Sequence, residues 1–191
     1  MGAPQTIPRR PISVADYHKM IDAGVFHEGD RVELIDGELI KMAPMGGAHM
    51  QLVNLLNRLL VQQVGEDGVV SPQNPVALEP DREPEPDFVV FRPECLWRAE
   101  VPGSPDVLLV VEVSHSTLSY DRDVKVPLYA QHGIPTVWLF EPTNCSVTIY
   151  REPERDTYRR VLTPQRPETI SPLLLPNVRL SLGQLWPKPV G

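Results

Sequence analysis

Two acidic side chains, Asp87 and Glu112, accompany the two most apolar runs of the sequence. Asp87 directly precedes the run Phe88 to Phe91, and Glu112 lies inside the run Val107 to Val113. An ionised carboxylate in such surroundings is costly unless a cation meets it. If the runs are neighbouring strands, the two carboxylates converge to within roughly 6 Å at one edge of the sheet and form an oxygen-only site that suits Mg²⁺ or Mn²⁺.

Both acids also have simpler interpretations. Glu112 can pair with an arginine, or it can reach solvent where its strand leaves the sheet. Asp87 can be a turn residue after Pro86, at the end of a stretch rich in acids. The sequence alone leaves these alternatives open.

The elements that position these acids follow from the hydrophobic pattern. Continuous Val and Leu runs bounded by turn residues are typical of strands buried on both faces, and edges of sheets avoid them. A helix over 123–132 and a strand over 135–140 follow, which predicts a crossover and a parallel strand pair. The segment 147–150 is expected to pair with that strand as a hairpin. The fold class is therefore α/β of the α+β type, a mixed central sheet flanked by helices.

Three further elements precede the central strands. Asp36-Gly37 separates two apolar runs within 31–42, which predicts a hairpin with a two-residue turn. Leucines recur at three- and four-residue steps over 48–64, which predicts the main core helix. Ser13 can cap a short docking helix that ends at Gly24. The apolar face of that docking helix is expected to consist of Val14, Tyr17 and Ile21.

Lys125 is the cation best placed to meet the acids. It follows the Glu112 strand, near the expected start of the crossover helix, because Pro127 is best accommodated in a first helical turn. A helix start there would present both the ammonium and free backbone N–H groups to an anion. The alternatives are that Lys125 is a solvated surface lysine, or that Lys41 in the hairpin serves instead.

Pro86-Asp87, Glu112-Val113 and a following lysine together resemble the PD-(D/E)xK nuclease superfamily. The stretch VEVSHSTLSYDRDVKVPLYAQHGIPTVWLFEP is similar to the Uma2 family of restriction-endonuclease-like proteins. The resemblance extends from the RVELIDGEL hairpin to about Tyr150. It implies a restriction-endonuclease-like core and metal-dependent cleavage of DNA phosphodiesters.

The chain departs from the superfamily pattern at Ser114, where the lysine usually stands two residues after the second acid. In the Uma2-like pattern the lysine comes from the following helix, which points to Lys125. The resemblance also assigns catalytic roles to Glu33 and His49. Their simpler interpretations are a hairpin charge opposite Ile40 and a helix-start histidine.

The resulting hypothesis is an endonuclease in which Asp87 and Glu112 hold one or two Mg²⁺ or Mn²⁺ ions and Glu33 completes the metal shell. Lys125 would orient the attacking water or neutralise developing charge. A Lys125→Ala variant is then expected to fold and to bind metal almost normally while losing turnover. Phosphate contacts are expected from arginines of the second half of the chain, namely Arg122, Arg151 and Arg159.

Length and charge set the remaining expectations. A chain of 191 residues suits a single domain, 1–191, with flexible tails at 1–12 and 187–191. No apolar stretch suits secretion or membrane insertion, so a cytoplasmic protein without a membrane partner is expected. The net charge of −7 works against nonspecific duplex binding.

Two rival functions and the oligomeric state stay open at this point. The fold could have lost catalysis and serve as a nucleic-acid-binding or protein-interaction module, which the acidic composition favours. It could also hydrolyse another phosphoester. A homodimer is compatible with the sequence.

Overall fold

The structure, a computed structural model, describes residues 9–27 and 29–186. The predicted tail 187–191 and residues 1–8 of the predicted tail 1–12 lie outside the described residues. Ile12, the last residue of the predicted tail 1–12, is held in place: its backbone N–H donates to the carbonyl of Gly37 at 3.0 Å.

Ten strands and five α-helices make up the described chain. The strands are β1 (Val32–Ile35), β2 (Glu38–Lys41), β3 (Val69–Pro72), β4 (Phe88–Phe91), β5 (Val107–Val113), β6 (Thr136–Glu141), β7 (Ser146–Glu154), β8 (Thr157–Leu162), β9 (Thr169–Ile170) and β10 (Leu180–Ser181). The α-helices are α1 (Val14–Asp22), α2 (Gly47–Val64), α3 (Leu118–Tyr120), α4 (Val126–Gln131) and α5 (Leu182–Leu185). Among the described helices, none combines the length and apolar character needed to cross a membrane.

Six strands form the central sheet in the order β3-β4-β5-β6-β7-β8. The pair β5-β6 is parallel and the other neighbouring pairs are antiparallel, so the predicted mixed sheet is confirmed. The two apolar runs, β4 and β5, are adjacent interior strands, with Phe88 opposite Val111. Every residue of both strands is buried, as continuous Val and Leu runs indicate.

The sheet carries a core on each face. On one face, α2 packs through residues spaced four apart, Leu52, Leu56, Leu60 and Val64, against a cluster that includes Val111 and Val113. On the other face, Val110 belongs to the cluster of α4 and Tyr129. Side chains alternate along a strand, so Glu112 shares the face of Val110 and points towards the crossover helix.

The predicted hairpin of β1 and β2 is confirmed, with Asp36 and Gly37 both at positive φ in its turn. Helix α1 begins after Ser13, whose side chain accepts from the N–H of Asp16, as expected of an N-cap. The predicted apolar face of α1 is wrong at Ile21, which is 47% exposed. Val14 and Tyr17 are the residues of the helix that pack with Leu34 of the hairpin.

The crossover differs from the predicted single helix over 123–132. Helical structure begins at Leu118 and passes through a π-helical turn, Asp121–Lys125, before α4. In that turn the N–H of Val126 donates to the carbonyl of Asp121, five residues back. Pro127 follows and has no N–H to continue the ladder, so the wider turn accommodates it. Lys125 therefore lies inside the helical run, and the predicted free N–H groups do not accompany it.

Candidate active site

Glu112 is the last residue but one of β5 and is buried, with 3% of the residue exposed. Its Oε1 accepts a hydrogen bond of 2.6 Å from the hydroxyl of Tyr129 and lies 3.0 Å from Nζ of Lys125. Lys125 and Tyr129 are four residues apart, so both reach Glu112 from one face of the crossover helix. The buried carboxylate is thus paired, as its environment requires, but with a lysine rather than an arginine.

Lys125 is buried as well and contacts a second acid, Glu33, at 3.1 Å from Nζ to Oε2. The other oxygen of Glu33 accepts from the hydroxyl of Tyr120 at 3.2 Å, and Oε2 also accepts from the backbone N–H of Glu85. Glu33 does stand opposite Ile40 in the hairpin, but it is 2% exposed. Lys125 is therefore not a solvated surface lysine, and Glu33 is not a surface charge of the hairpin.

Electrostatics couple these groups. The pKa of Glu112 is raised to about 8: burial raises it most, the ammonium of Lys125 lowers it, and Asp121 and Asp87 raise it. Burial lowers the pKa of Lys125, but Glu112 and Glu33 outweigh that effect and raise it above its usual range. Lys125 is therefore charged at neutral pH. Repulsion between Asp87 and Glu112 raises the pKa of Glu112 less than burial does.

Asp87 is held from two sides at the start of β4. Its Oδ2 accepts from the backbone N–H of Val113 at 2.8 Å, which places the carboxylate beside the residue that follows Glu112. Its Oδ1 lies 2.8 Å from Nε2 of His49, in the first turn of α2. Asp87 is thus more than a turn residue, and His49 has a defined acidic partner.

These residues share one cleft of about 380 Å³. The structure brings all five predicted site residues to it, namely Glu33, His49, Asp87, Glu112 and Lys125. The hairpin supplies Glu33, α2 supplies His49, the two central strands supply the other acids, and the crossover helix supplies the lysine. Lys41, the alternative lysine, also lines this cleft but is exposed.

Sequence reasoning missed Asp121, a further acid of the cleft. Asp121 is 5% exposed, and its Oδ2 accepts hydrogen bonds of 2.6 Å from the hydroxyls of Ser114 and Thr117. Ser114, where the resemblance to PD-(D/E)xK nucleases would predict a lysine, therefore ties the strand to the π-helical turn that carries Lys125. Asp121 lies four residues before Lys125, a spacing that places both on one face of a helix. That spacing could have identified Asp121 as a residue of the site.

We expect Ser114→Ala to lower the free energy of unfolding by about 1.5–3 kcal/mol, the scale for a hydrogen bond to a charged group. Urea unfolding followed by circular dichroism measures this. The matched control is Ser116→Ala, because Ser116 is exposed and should tolerate the change. Equal stability of the two variants would show that the Ser114 hydroxyl does not hold the turn.

The three arginines expected to contact phosphate do not line the cleft. Arg122 is exposed and pairs with its neighbour Asp123 at 2.7 Å. Arg151 donates to the carbonyl of Ser171, and Arg159 is exposed on β8. Arg122 shares the π-helical turn of Lys125 without lining the cleft, and Arg151 and Arg159 lie on β7 and β8; spacing along the chain could not reveal this.

Comparison with known proteins bears on the nature of this cleft. The family described as "Uma2: Putative restriction endonuclease" matches residues 14–183. The chain belongs to the Uma2 family. All five predicted site residues fall inside the matched range.

A solved structure shares the Uma2 chain's fold with a TM-score of 0.70. It is titled "Crystal structure of a putative nuclease belonging to DUF820 from Anabaena variabilis ATCC 29413". The match covers 92% of this chain and 97% of that one at 17% sequence identity, which supports the fold alone. A search of curated proteins gives no match.

The site of this Uma2 protein fits a metal held by few protein ligands. Over residues 9–27 and 29–186, no group of three or more His, Cys, Asp or Glu side chains is arranged to hold a metal ion. Mg²⁺, however, usually takes one or two carboxylates and keeps several waters. Asp87 and Glu112 meet that requirement, and Tyr129 and Lys125 both contact the same oxygen of Glu112. Each oxygen of Asp87 makes one contact and keeps a lone pair for a cation, whereas Oε2 of Glu33 already contacts both Lys125 and the N–H of Glu85, which favours a supporting role for Glu33.

Proposed function

We propose that the chain is a divalent-metal-dependent endonuclease that hydrolyses DNA phosphodiester bonds. One observation carries this proposal: Asp87, Glu112 and Lys125 converge in one cleft of a chain that belongs to the Uma2 family. Buried ionisable groups with raised pKa values in a cleft are candidates for catalysis, because a fold without a use for them avoids their desolvation cost.

Asp87 and Glu112 would hold Mg²⁺ or Mn²⁺. The bound ion would polarise a phosphoryl oxygen and lower the pKa of a water molecule. The two acids are well suited to this, because Val113 and His49 fix Asp87 while Tyr129 fixes Glu112. Fixed ligands lose little freedom when the ion binds.

Lys125 would stabilise negative charge that develops on the phosphoryl group. An ammonium has three N–H donors, and Glu33 and Glu112 account for two of them. The third remains for a phosphate oxygen in the cleft. Because Lys125 is almost fully desolvated, such a contact is stronger than it would be in water.

His49 would accept or donate a proton during the reaction. Its Nε2 contacts Asp87, which leaves Nδ1 for water or substrate. A carboxylate that accepts from one ring N–H fixes the tautomer, which leaves the other ring nitrogen able to accept a hydrogen bond. This arrangement suits activation of a nucleophile or protonation of a leaving group.

A second function has specific support. Lys125 is ion-paired with both Glu33 and Glu112, and the charge of −7 disfavours a polyanion. Both features suit a fold that has lost catalysis and serves as a binding module. In that case the ion pairs would be structural and no metal would be required.

Incubation of the protein with supercoiled plasmid and with single-stranded DNA separates the two functions. Parallel reactions contain Mg²⁺, Mn²⁺ or EDTA, and the products are resolved on gels. We expect nicked or shortened DNA with either metal and intact DNA with EDTA. DNA that stays intact in every reaction would support the binding module instead, and a mobility-shift assay would show whether that module binds nucleic acid or another partner.

A further inference from the structure

Two cations stand at the mouth of the cleft, at the open end of the β1-β2 hairpin. The N–H of Met42 donates to the carbonyl of Arg31 at 2.9 Å, and Lys41 stands opposite Val32. Arg31 and Lys41 therefore lie at the same end of the hairpin, one register position apart. Both line the cleft that contains Glu33. We call this pair the hairpin lip.

The hairpin lip is accessible and makes no ion pair among the residues that the structure describes. Lys41 is exposed and Arg31 is half-buried. By contrast, Arg82 at the other end of the hairpin pairs with Asp36, and Arg122 on the crossover pairs with Asp123. The lip cations are thus free to meet an external anion.

Asp30, whose pKa the charge of Lys41 helps to lower, lies outside the cleft, and one acid of the cleft wall bears on the charge of the lip. Glu85 lines the cleft and is half-buried; burial raises its pKa, and Arg31 partly offsets this by lowering it. Arg31 therefore has a neighbour of opposite sign but no direct contact with it. Lys41 has no such neighbour in the cleft wall.

Acidic and basic side chains lie at different depths of the cleft. The acids that would hold metal, Asp87 and Glu112, are buried at its base, whereas Arg31 and Lys41 stand at its mouth. A polyanion that approaches a chain of net charge −7 is repelled unless local cations offset that field. The lip supplies such cations on the route to the buried acids.

We propose that Arg31 and Lys41 bind backbone phosphates of a DNA strand and hold it across the cleft. This inference rests on the proposed nuclease function and names the residues that seat its substrate. Phosphate contacts of this kind position a strand without reading its bases. Binding through the lip is therefore independent of sequence and falls with added salt.

Fluorescence anisotropy with short labelled DNA strands of two unrelated sequences tests the proposal. Ca²⁺ replaces Mg²⁺, and gels check that the strands stay intact. The variants are Arg31→Ala, Lys41→Ala and the double variant. The charge-retaining variant Arg31→Lys guards against a folding defect at the half-buried position. Arg58→Ala is the matched control, because Arg58 is exposed on α2 and does not line the cleft.

We expect each single alanine variant to weaken binding roughly 5- to 10-fold for both sequences at low salt, and to reduce the slope of log affinity against log salt by about 1. The double variant should lose about 2 in slope, while Arg31→Lys and Arg58→Ala should behave as wild type. A double variant with wild-type affinity and slope overturns the proposal, and so does a wild-type protein that binds no DNA. Cleavage is measured separately in Mn²⁺. If the lip binds DNA but the protein does not cut it, the nuclease function is rejected while phosphate binding by the lip is retained.

Discussion

The Lys125→Ala variant is expected to lose about 3–5 kcal/mol of unfolding free energy, the scale for breaking a buried ion pair by removing one partner. The substitution leaves the carboxylates of Glu33 and Glu112 buried without their cation. Thermal or urea unfolding in EDTA measures the loss. The earlier expectation of almost normal folding took Lys125 to be a residue of the helix start, whereas the structure buries it between two acids.

Mn²⁺ should restore part of the stability of Lys125→Ala, because a divalent ion that binds only the folded state stabilises it. The nuclease rate should nevertheless stay lower by about 100-fold or more, since the contact to the reacting phosphoryl group is gone. The matched control is Lys19→Ala, which removes an exposed ion pair with Asp16 and should cost at most about 1 kcal/mol. If Lys125→Ala unfolds like this control, Lys125 is not the cation on which the buried acids depend.

The Glu112→Gln variant is expected to lower Mn²⁺ affinity at least about 100-fold. Substitution of a residue that only supports a metal ligand already lowers metal affinity about 10- to 100-fold. Removal of the charge of a ligand itself should lower the affinity further. Glutamine keeps the size of the side chain and can still accept from the Tyr129 hydroxyl. Isothermal titration calorimetry with Mn²⁺ measures the affinity.

A second buried acid provides the control for this titration. Glu83 is 2% exposed and contacts His18 at 2.7 Å, but it does not line the cleft. Glu83→Gln should therefore bind Mn²⁺ as wild type does. Equal Mn²⁺ affinity of Glu112→Gln and wild type would remove Glu112 from the metal site.

Elements that depend on local patterns were predictable from the sequence. Asp36-Gly37 specified the hairpin turn, the leucine spacing specified α2, and the apolar runs specified β4 and β5 as interior strands. Two edge strands, β3 and β8, were not anticipated. In β8 only Tyr158 is buried, so its pattern does not stand out from that of a surface loop.

The candidate site was predictable in part. The position of Glu112 in an apolar run demanded a cation, and the resemblance to Uma2 proteins pointed to Lys125 rather than to the strand. The hydroxyl and carboxylate partners Tyr120, Tyr129 and Asp121 were not foreseen. Their roles depend on the angle at which the crossover helix meets the sheet and on the π-helical turn, and both are tertiary features.

Asp87 and Glu112 are proposed to support metal-dependent cleavage of DNA in this cleft. The most direct test compares plasmid nicking in Mn²⁺ by wild type, Asp87→Asn and Glu83→Gln. Asn keeps the size of Asp87 and can accept from the N–H of Val113, but it lacks the charge that a metal needs. We expect wild type and Glu83→Gln to nick at equal rates, EDTA to stop both, and Asp87→Asn to be at least about 100-fold slower. Nicking by Asp87→Asn at the wild-type rate would contradict the claim.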